Sequence, residues 1–345
     1  MAELSSDGAV RGKEMNNISK MIKNAKNAMI ELMNLADSDQ VLVVSDEASK
    51  TIGDSFSTAA RQLGCSVEMY FINEKNRPLT EIPADLIPLL KGKTAVINVF
   101  KANPRELQFR VQWCLEVQKN KSLSMAHCPG ITEAMMTDGP LNVDYKEMRE
   151  MAKKLINQLD NAETVHITTP AGTDIILGVK GRTFCNEVEV KPVIVTNLPC
   201  GEIYCAPEET KANGVLVIDG TMGNFGLPPT PLTIRVKNGS IEKFESKAPD
   251  LVKEAQEMTN ADKEARVIGE LGIGINPAAK LVGNMLEDEK AFGTAHIAFG
   301  NNEDFPGGQN KSKTHVDFLF LKPTISVTYL DGSGQVIIKD GELQR

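Results

Sequence analysis

Long apolar runs are missing from this 345-residue sequence. Residues 41–44 (Val-Leu-Val-Val) and 214–218 are among the longest, far short of the roughly 20 residues that cross a bilayer. A membrane partner is therefore not expected. The amino end carries Glu3, Asp7 and Glu14 and has no apolar core, so no secretory leader is expected and the cytoplasm is the default. Cysteine is scarce. Six residues without paired spacing make no disulfide framework, and reduced thiols suit the cytosol. An excess of positive charge is also missing: 38 Lys and Arg against 46 Asp and Glu leave a net charge of −8. Nucleic acid is not an expected partner of such a chain. There is no G-x-x-x-x-G-K-[ST] segment. The glycines at 269, 272 and 274 do not follow G-x-G-x-x-G, so neither a P-loop nor a dinucleotide site is expected.

What remains is an ordinary globular composition, 41% apolar and 24% charged, at a length suited to about two domains. Residues 1–14 show no periodic pattern and read as a frayed start. From Met15 the apolar positions Met15, Ile18, Met21, Ile22, Ala25, Met29, Leu32 and Met33 follow helical spacing. The unbroken apolar run within 40–45 predicts a strand buried on both faces. Helices at 49–63, 105–117 and 145–159 alternate with strands at 67–72, 94–100 and 122–126. Such alternation predicts βαβ units, and so a doubly wound, mostly parallel α/β domain over residues 1–160. Beyond it come short β segments with Gly, Pro and Asn turns, at 164–168, 174–179, 193–196, 214–219, 232–237, 241–245, 295–299, 315–321, 326–330 and 336–339. Helices are expected at 249–258 and 277–285. This predicts a β-rich α+β domain over residues 161–345.

His315 and Asp317 lie two apart on an expected strand, so both side chains leave the same face. Imidazole and carboxylate are metal-ligand types, although for this motif alone a simple His–Asp hydrogen bond at a sheet edge is the more economical reading. His296 lies in an apolar strand between Gly293 and Gly300 and is either a ligand or a core histidine with a partner. Residues 301–314, polar and glycine-rich, suit an active-site rim or lid. Glu202 and Glu270 stand among small residues and glycines, where an acid is a poor core residue unless paired or coordinated. Each alone also reads as an exposed turn acid. His127 and Cys128 end an expected strand at a crevice rim and raise the possibility of a Cys–His nucleophile. Cys200 and Cys205 form a weak zinc pattern and read as buried small residues. His166 reads as a half-buried strand position.

Four segments in this order, NLPCGEIYCAP, GELGIGINP, GTAHIAFG and THVDF, resemble the metal-dependent aminopeptidases of the aminopeptidase T (thermophilic leucyl aminopeptidase) type. The resemblance is strong over residues 165–325. It implies an N-terminal α/β domain, a C-terminal metal-binding catalytic domain and a homodimer. It places the metal ligands on Glu202, Glu270, His296, His315 and Asp317, with Glu270 or a nearby carboxylate taking the proton of the attacking water. The implied cofactors are two divalent ions (Zn, Co or Mn), and the implied substrate is a small peptide or another small molecule. Three carboxylates and two neutral imidazoles carry three negative charges. Two divalent ions leave one positive charge, which suits a bridging hydroxide between metals about 3.5–4 Å apart. One ion leaves a spare acid.

The sequence departs from the family at Glu303, where the family carries a tyrosine seven residues after the histidine. Tyr204 is a possible substitute, with packing as its simpler role. A related enzyme, 2,5-dihydroxypyridine 5,6-dioxygenase, supports a rival reading: His296, His315 and Asp317 as the facial triad of a single Fe(II). Against it, Glu270 stands where that dioxygenase is expected to supply a histidine. A third reading is a degenerate member that holds metal without peptidase activity.

Overall fold

The computed structural model describes residues 3–189 and 195–344, with side chains from residue 12 onward. It divides into two compact units, Met1–Tyr145 with Glu189–Cys200, and Lys146–Val188 with Gly201–Arg345. The units part at the first residue of the helix at 145–159, not after it at residue 160.

In the first unit, β1 (Gln40–Ser45), β2 (Ser66–Phe71), β3 (Ala95–Val99), β4 (Ser124–His127) and β8 (Val195–Asn197) form one parallel sheet in the order β2-β1-β3-β4-β8. The strand expected at 193–196 thus belongs to this sheet through residues 195–197; positions 193 and 194 lie outside the described residues. Four helices accompany the sheet: α1 (Glu3–Glu31), α2 (Lys50–Gln62), α3 (Leu107–Gln118) and α4 (Glu133–Thr137). Alternate side chains serve opposite faces. Leu42, Val44, Val96 and Met125 pack with Phe109, Trp113 and Val117 of α3. On the other face, Gly53 of α2 comes close to Ser45 and Val99, where a Cβ would stand 2.6 Å from the Ser45 hydroxyl. This is the doubly wound arrangement the alternation predicts. The frayed start expected at 1–14 is instead helical from Glu3. The apolar stripe of Met21, Ala25, Ala28, Met29 and Leu32 is fully buried and anchors that helix farther along.

The second unit holds α5 (Tyr145–Leu159) beyond its first residue, α6 (Pro249–Met258) and α7 (Met285–Asp288). Its strands are β5 (Ala162–Thr168), β6 (Asp174–Gly178), β7 (Cys185–Asn186), β9 (Glu202–Cys205), β10 (Ala212–Ile218), β11 (Leu232–Lys237), β12 (Ser240–Glu245), β13 (Ile268–Gly274), β14 (Thr294–Gly300), β15 (His315–Leu321), β16 (Thr324–Tyr329), β17 (Gly334–Lys339) and β18 (Glu342–Leu343). They make two antiparallel sheets, β12-β11-β10-β6-β5-β16-β17-β18 and β15-β14-β13-β9-β7. The helix expected at 277–285 does not form. The Asn276 side chain accepts from the backbone of Ala278 and Ala279, which sets a turn there. Asn284 caps the short α7 by accepting from Leu286. No helix among the described residues is long and apolar enough to cross a membrane.

Candidate metal centre

The antiparallel sheet β15-β14-β13-β9-β7 has one apolar face and one polar face, set by strand alternation. Ile203, Leu271, Ile297, Phe318 and Phe320 occupy the first and are fully buried. On the other face, Glu202 lies opposite Gly274, and Tyr204 and His296 lie opposite Gly272 from either side. Ala298 stands between Glu270 and Asp317, and His315 opposes Gly300. The five expected ligands thus share one face, separated by small residues. Gly272 is required by space: a Cβ there would stand 2.1 Å from Nε2 of His296.

The acid and imidazole groups fall into two clusters joined by one carboxylate. Glu270 reaches His296 Nε2 with Oε1 at 3.6 Å and accepts a hydrogen bond from His315 Nε2 with Oε2 at 2.9 Å. Asp317 lies 3.4 Å from His315 Nε2. His315 Nδ1 meets the carbonyl of Asn301 at 2.7 Å, which fixes the ring and turns Nε2 toward the acids. The second cluster is Glu202, Glu289 and His296; Glu202 Oε2 lies 3.5 Å from His296 Nε2. The structure therefore groups Glu270, His315 and Asp317 together, and sets His296 with Glu202 and Glu289.

Glu289, Lys290 and Glu187 were not expected here. Glu287-Asp288-Glu289-Lys290 is a run of charges of the kind that ordinarily stays in water. In the fold the Lys290 ammonium has no exposed surface. It lies 2.5 Å from Glu202 Oε1, 2.9 Å from Glu289 Oε1 and 3.0 Å from Glu187 Oε2. Its ammonium hydrogen-bonds Glu202 and stands in ion-pair contact with all three acids.

Burial pushes the Glu202 carboxyl up to about 8 and that of Glu289 up to about 7, against the opposing pull of Lys290. Burial acts the same way on Glu270, but its hydrogen bonds with His296 and His315 outweigh that and hold it below the usual carboxylate range. His296 is disfavoured as a cation by burial, yet Glu270 and Glu202 raise it to about 9.

These residues fit divalent ions. Glu202 Oε2 and His296 Nδ1 are buried with no hydrogen-bond partner among the described residues. Oε2 faces His296 Nε2 at 3.5 Å, and a buried carboxylate oxygen with no hydrogen-bond donor there is costly unless a cation satisfies it. Ligands must be unprotonated to bind metal. At pH 6.5 the ion-free cluster holds protons on Glu202, Glu289 and His296, so metal uptake releases protons and tightens as pH rises to 8. Titration calorimetry with Zn²⁺ in buffers of different ionisation enthalpy checks this; uptake without proton release would contradict it.

Glu303 is exposed and pairs with Lys311 at 3.3 Å, so it does not reach the cluster. Tyr204 packs on Phe305, 4.9 Å between ring centres, and Phe305 stands edge-on to His315 at 5.9 Å. Residues 301–314 form a loop fastened by hydrogen bonds: Asn302 donates to the carbonyl of Gly269 and to Glu209, and Asn310 to the carbonyls of Glu264 and Val267. Arg182 bonds the carbonyl of Gly307 and pairs with Glu209. Cys128 is fully buried and its thiol is pushed up by burial, so no Cys–His nucleophile forms with His127. Cys200 and Cys205 are buried, and no disulfide links any of the six cysteines. His166 pairs with Asp174 at 2.7 Å on the surface.

A carboxylate–imidazole cluster of this size, on the β-rich unit of a chain whose other unit is doubly wound, is a candidate metal centre. The profile of the thermophilic metalloprotease (M29) family matches residues 119–343, and the chain belongs to that family. A comparison with curated protein sequences finds no match. Among solved structures, the chain is similar to 2,5-dihydroxypyridine dioxygenase from Pseudomonas putida KT2440, with a TM-score of 0.71 and 16% identity over 95% of this chain and 97% of that one. It is similar also to wild-type AmpT from Thermus thermophilus, with a TM-score of 0.70 and 18% identity over 95% of this chain and 99% of that one. At such identities the likeness is one of fold.

Proposed function

We propose that the chain is a metal-dependent aminopeptidase-like hydrolase that cleaves the first peptide bond of a small peptide with two divalent ions. The observation that carries this reading is Glu270, one carboxylate spanning both imidazoles. Charge supports two ions. Glu187, Glu202, Glu270, Glu289 and Asp317 against Lys290 leave four negative charges, which two divalent ions cancel. Glu202, Glu289 and His296 would hold one ion, His315 and Asp317 the other, and Glu270 both. Bound ions supply Lewis acidity and a water acidic enough to be deprotonated near neutral pH. Glu270, or another carboxylate beside it, would take that proton. Lys290 holds Glu202 by one oxygen and leaves the other facing His296. The family membership supports peptide hydrolysis. The single-iron reading is served less well, because His296 sides with Glu202 and Glu289 instead of with His315 and Asp317.

The test is His315→Ala. The variant is expected to keep the wild-type circular dichroism spectrum, because the His315 side chain is 31% exposed at the sheet edge. It is expected to lose tight binding of one ion and to lose about 10²–10⁴-fold in hydrolysis of aminoacyl-p-nitroanilides. Full activity in this variant would overturn the site assignment.

A further inference from the structure

The metal centre is served by a stretch of chain that supplies none of its ligands. Residues 301–314 join β14, which carries His296, to β15, which carries His315 and Asp317. Phe305 and Pro306 are the apolar residues among them. A loop with so little to bury depends on polar ties to offset the entropy of ordering it. Many of those ties converge on one carboxylate. Glu209 lies between β9 and β10. Its Oε1 accepts from the backbone N–H of Gln309 at 2.9 Å and from the Asn302 amide at 3.3 Å. Its Oε2 pairs with Arg182 at 2.6 Å, and the same guanidinium donates to the carbonyl of Gly307. Hydrogen bonds to an ionised acceptor are about twice as strong as neutral ones. The two side chains are 10% and 17% exposed, so solvent screens the pair only in part.

Asn302 carries the hold inward. It is buried, and its amide donates also to the carbonyl of Gly269, the residue before Glu270, at 3.2 Å. Its Oδ1 accepts from the backbone N–H of Asn310 at 2.8 Å. The preceding residue, Asn301, presents its carbonyl to His315 Nδ1 at 2.7 Å. A carbonyl only accepts, so Nδ1 carries a proton and Nε2 is the nitrogen left to face the acids. The residue that Glu209 holds is thus the chain neighbour of the residue that aims His315.

We propose that Glu209, paired with Arg182, is a positioning residue for one half of the metal centre: through Asn302 it fixes the Asn301 carbonyl that aims His315. The group of Glu270, His315 and Asp317 then depends on Glu209, and the group of Glu202, Glu289 and His296 does not. The second group has a brace of its own, Lys290, which contacts Glu202 and Glu289. Only the metal-binding half of the test rests on the two-ion reading above.

Two measurements on full-length Glu209→Ala test this. The first is ring ¹⁵N–¹H NMR with and without Zn²⁺, practical because the chain holds four histidines. In the wild type the His315 Nδ1 proton is expected to be hydrogen-bonded and slow to exchange with water. In Glu209→Ala its exchange is expected to quicken about tenfold or more, the effect of losing a hydrogen bond to a charged group. The second is calorimetric titration with Zn²⁺. The variant is expected to bind one ion as the wild type does and the other about 10–100-fold more weakly, as when other supports of a metal ligand are removed. Glu209→Gln keeps an oxygen for Asn302 and Gln309 and is expected to recover part of both effects; if Glu209→Ala does not fold, Glu209→Gln decides by the same two readings. The proposal is overturned if the His315 proton exchanges in the variant as in the wild type, if both ions bind as in the wild type, or if both are weakened equally. A wild type that takes up fewer than two ions would count against the two-ion reading instead, and the exchange of the His315 proton would still decide the role of Glu209.

Discussion

Replacing Glu270 with glutamine is expected to abolish binding of both metal ions and to lower peptidase activity by about 10³-fold or more, at the upper end of what one catalytic acid or base supplies. The reason is geometric. Glu270 is 4% exposed, and its two oxygens face two different imidazoles, His296 at 3.6 Å and His315 at 2.9 Å. No other carboxylate in the cluster spans both histidines. Glutamine keeps the volume and the hydrogen-bonding reach but removes the charge. It also offers an amide N–H where a cation needs an oxygen. The fold should survive, because β13 is held by β9 and β14 through its backbone. Metal content of the dialysed variant, beside its thermal unfolding, checks the prediction. A folded Glu270→Gln protein that retains two ions would show that the bridging role is wrong.

Lys290→Met is expected to have the next largest effect, through a different route. Lys290 is fully buried among Glu187, Glu202 and Glu289. Removing one member of such a cluster leaves buried acids without a counter-charge, which typically costs about 3–5 kcal/mol. The cost should depend on pH. Glu202 and Glu289 have folded pKa values raised by burial, so each can be neutral at low pH and must ionise unfavourably as pH rises. Urea unfolding of the metal-free variant should therefore show a larger loss at pH 8 than at pH 6. Metal affinity should fall by about 10–100-fold, as for other groups that hold ligands in place. Equal stability losses at both pH values would mean that Lys290 acts by packing alone.

How far the site was readable from the sequence follows from local chemistry. β14 and β15 were legible because their alternation of apolar and functional residues is unbroken, and His296, His315 and Asp317 came with them. β9 and β13 were not recognised as strands. The first is four residues long, and the second contains Gly269, Gly272 and Gly274, which weaken a strand signal. Those same glycines make room for His296 and for the backbone at Ala291. Glu202 and Glu270 were therefore recovered from the family-like segments they stand in, while their periodicity carried no strand signal. Glu289 and Lys290 were missed because a run of charges ordinarily stays in water; only tertiary structure shows that these charges neutralise one another. In the first unit the parallel sheet was legible from alternation, but the return of β8 to it was not. That pairing is nonlocal, and no local pattern in a three-residue strand encodes it.

The central claim is that one face of the antiparallel sheet β15-β14-β13-β9-β7 holds two divalent ions through a shared carboxylate. The measurement that tests it most directly is elemental analysis of the purified chain, for Zn, Mn, Co and Fe, before and after anaerobic reconstitution. The account predicts about two divalent ions per wild-type chain, the count set by charge and ligand number at a two-metal site, and neither ion in Glu270→Gln. A single iron per chain that persists in Glu270→Gln would contradict it and point to the His296–His315–Asp317 triad instead.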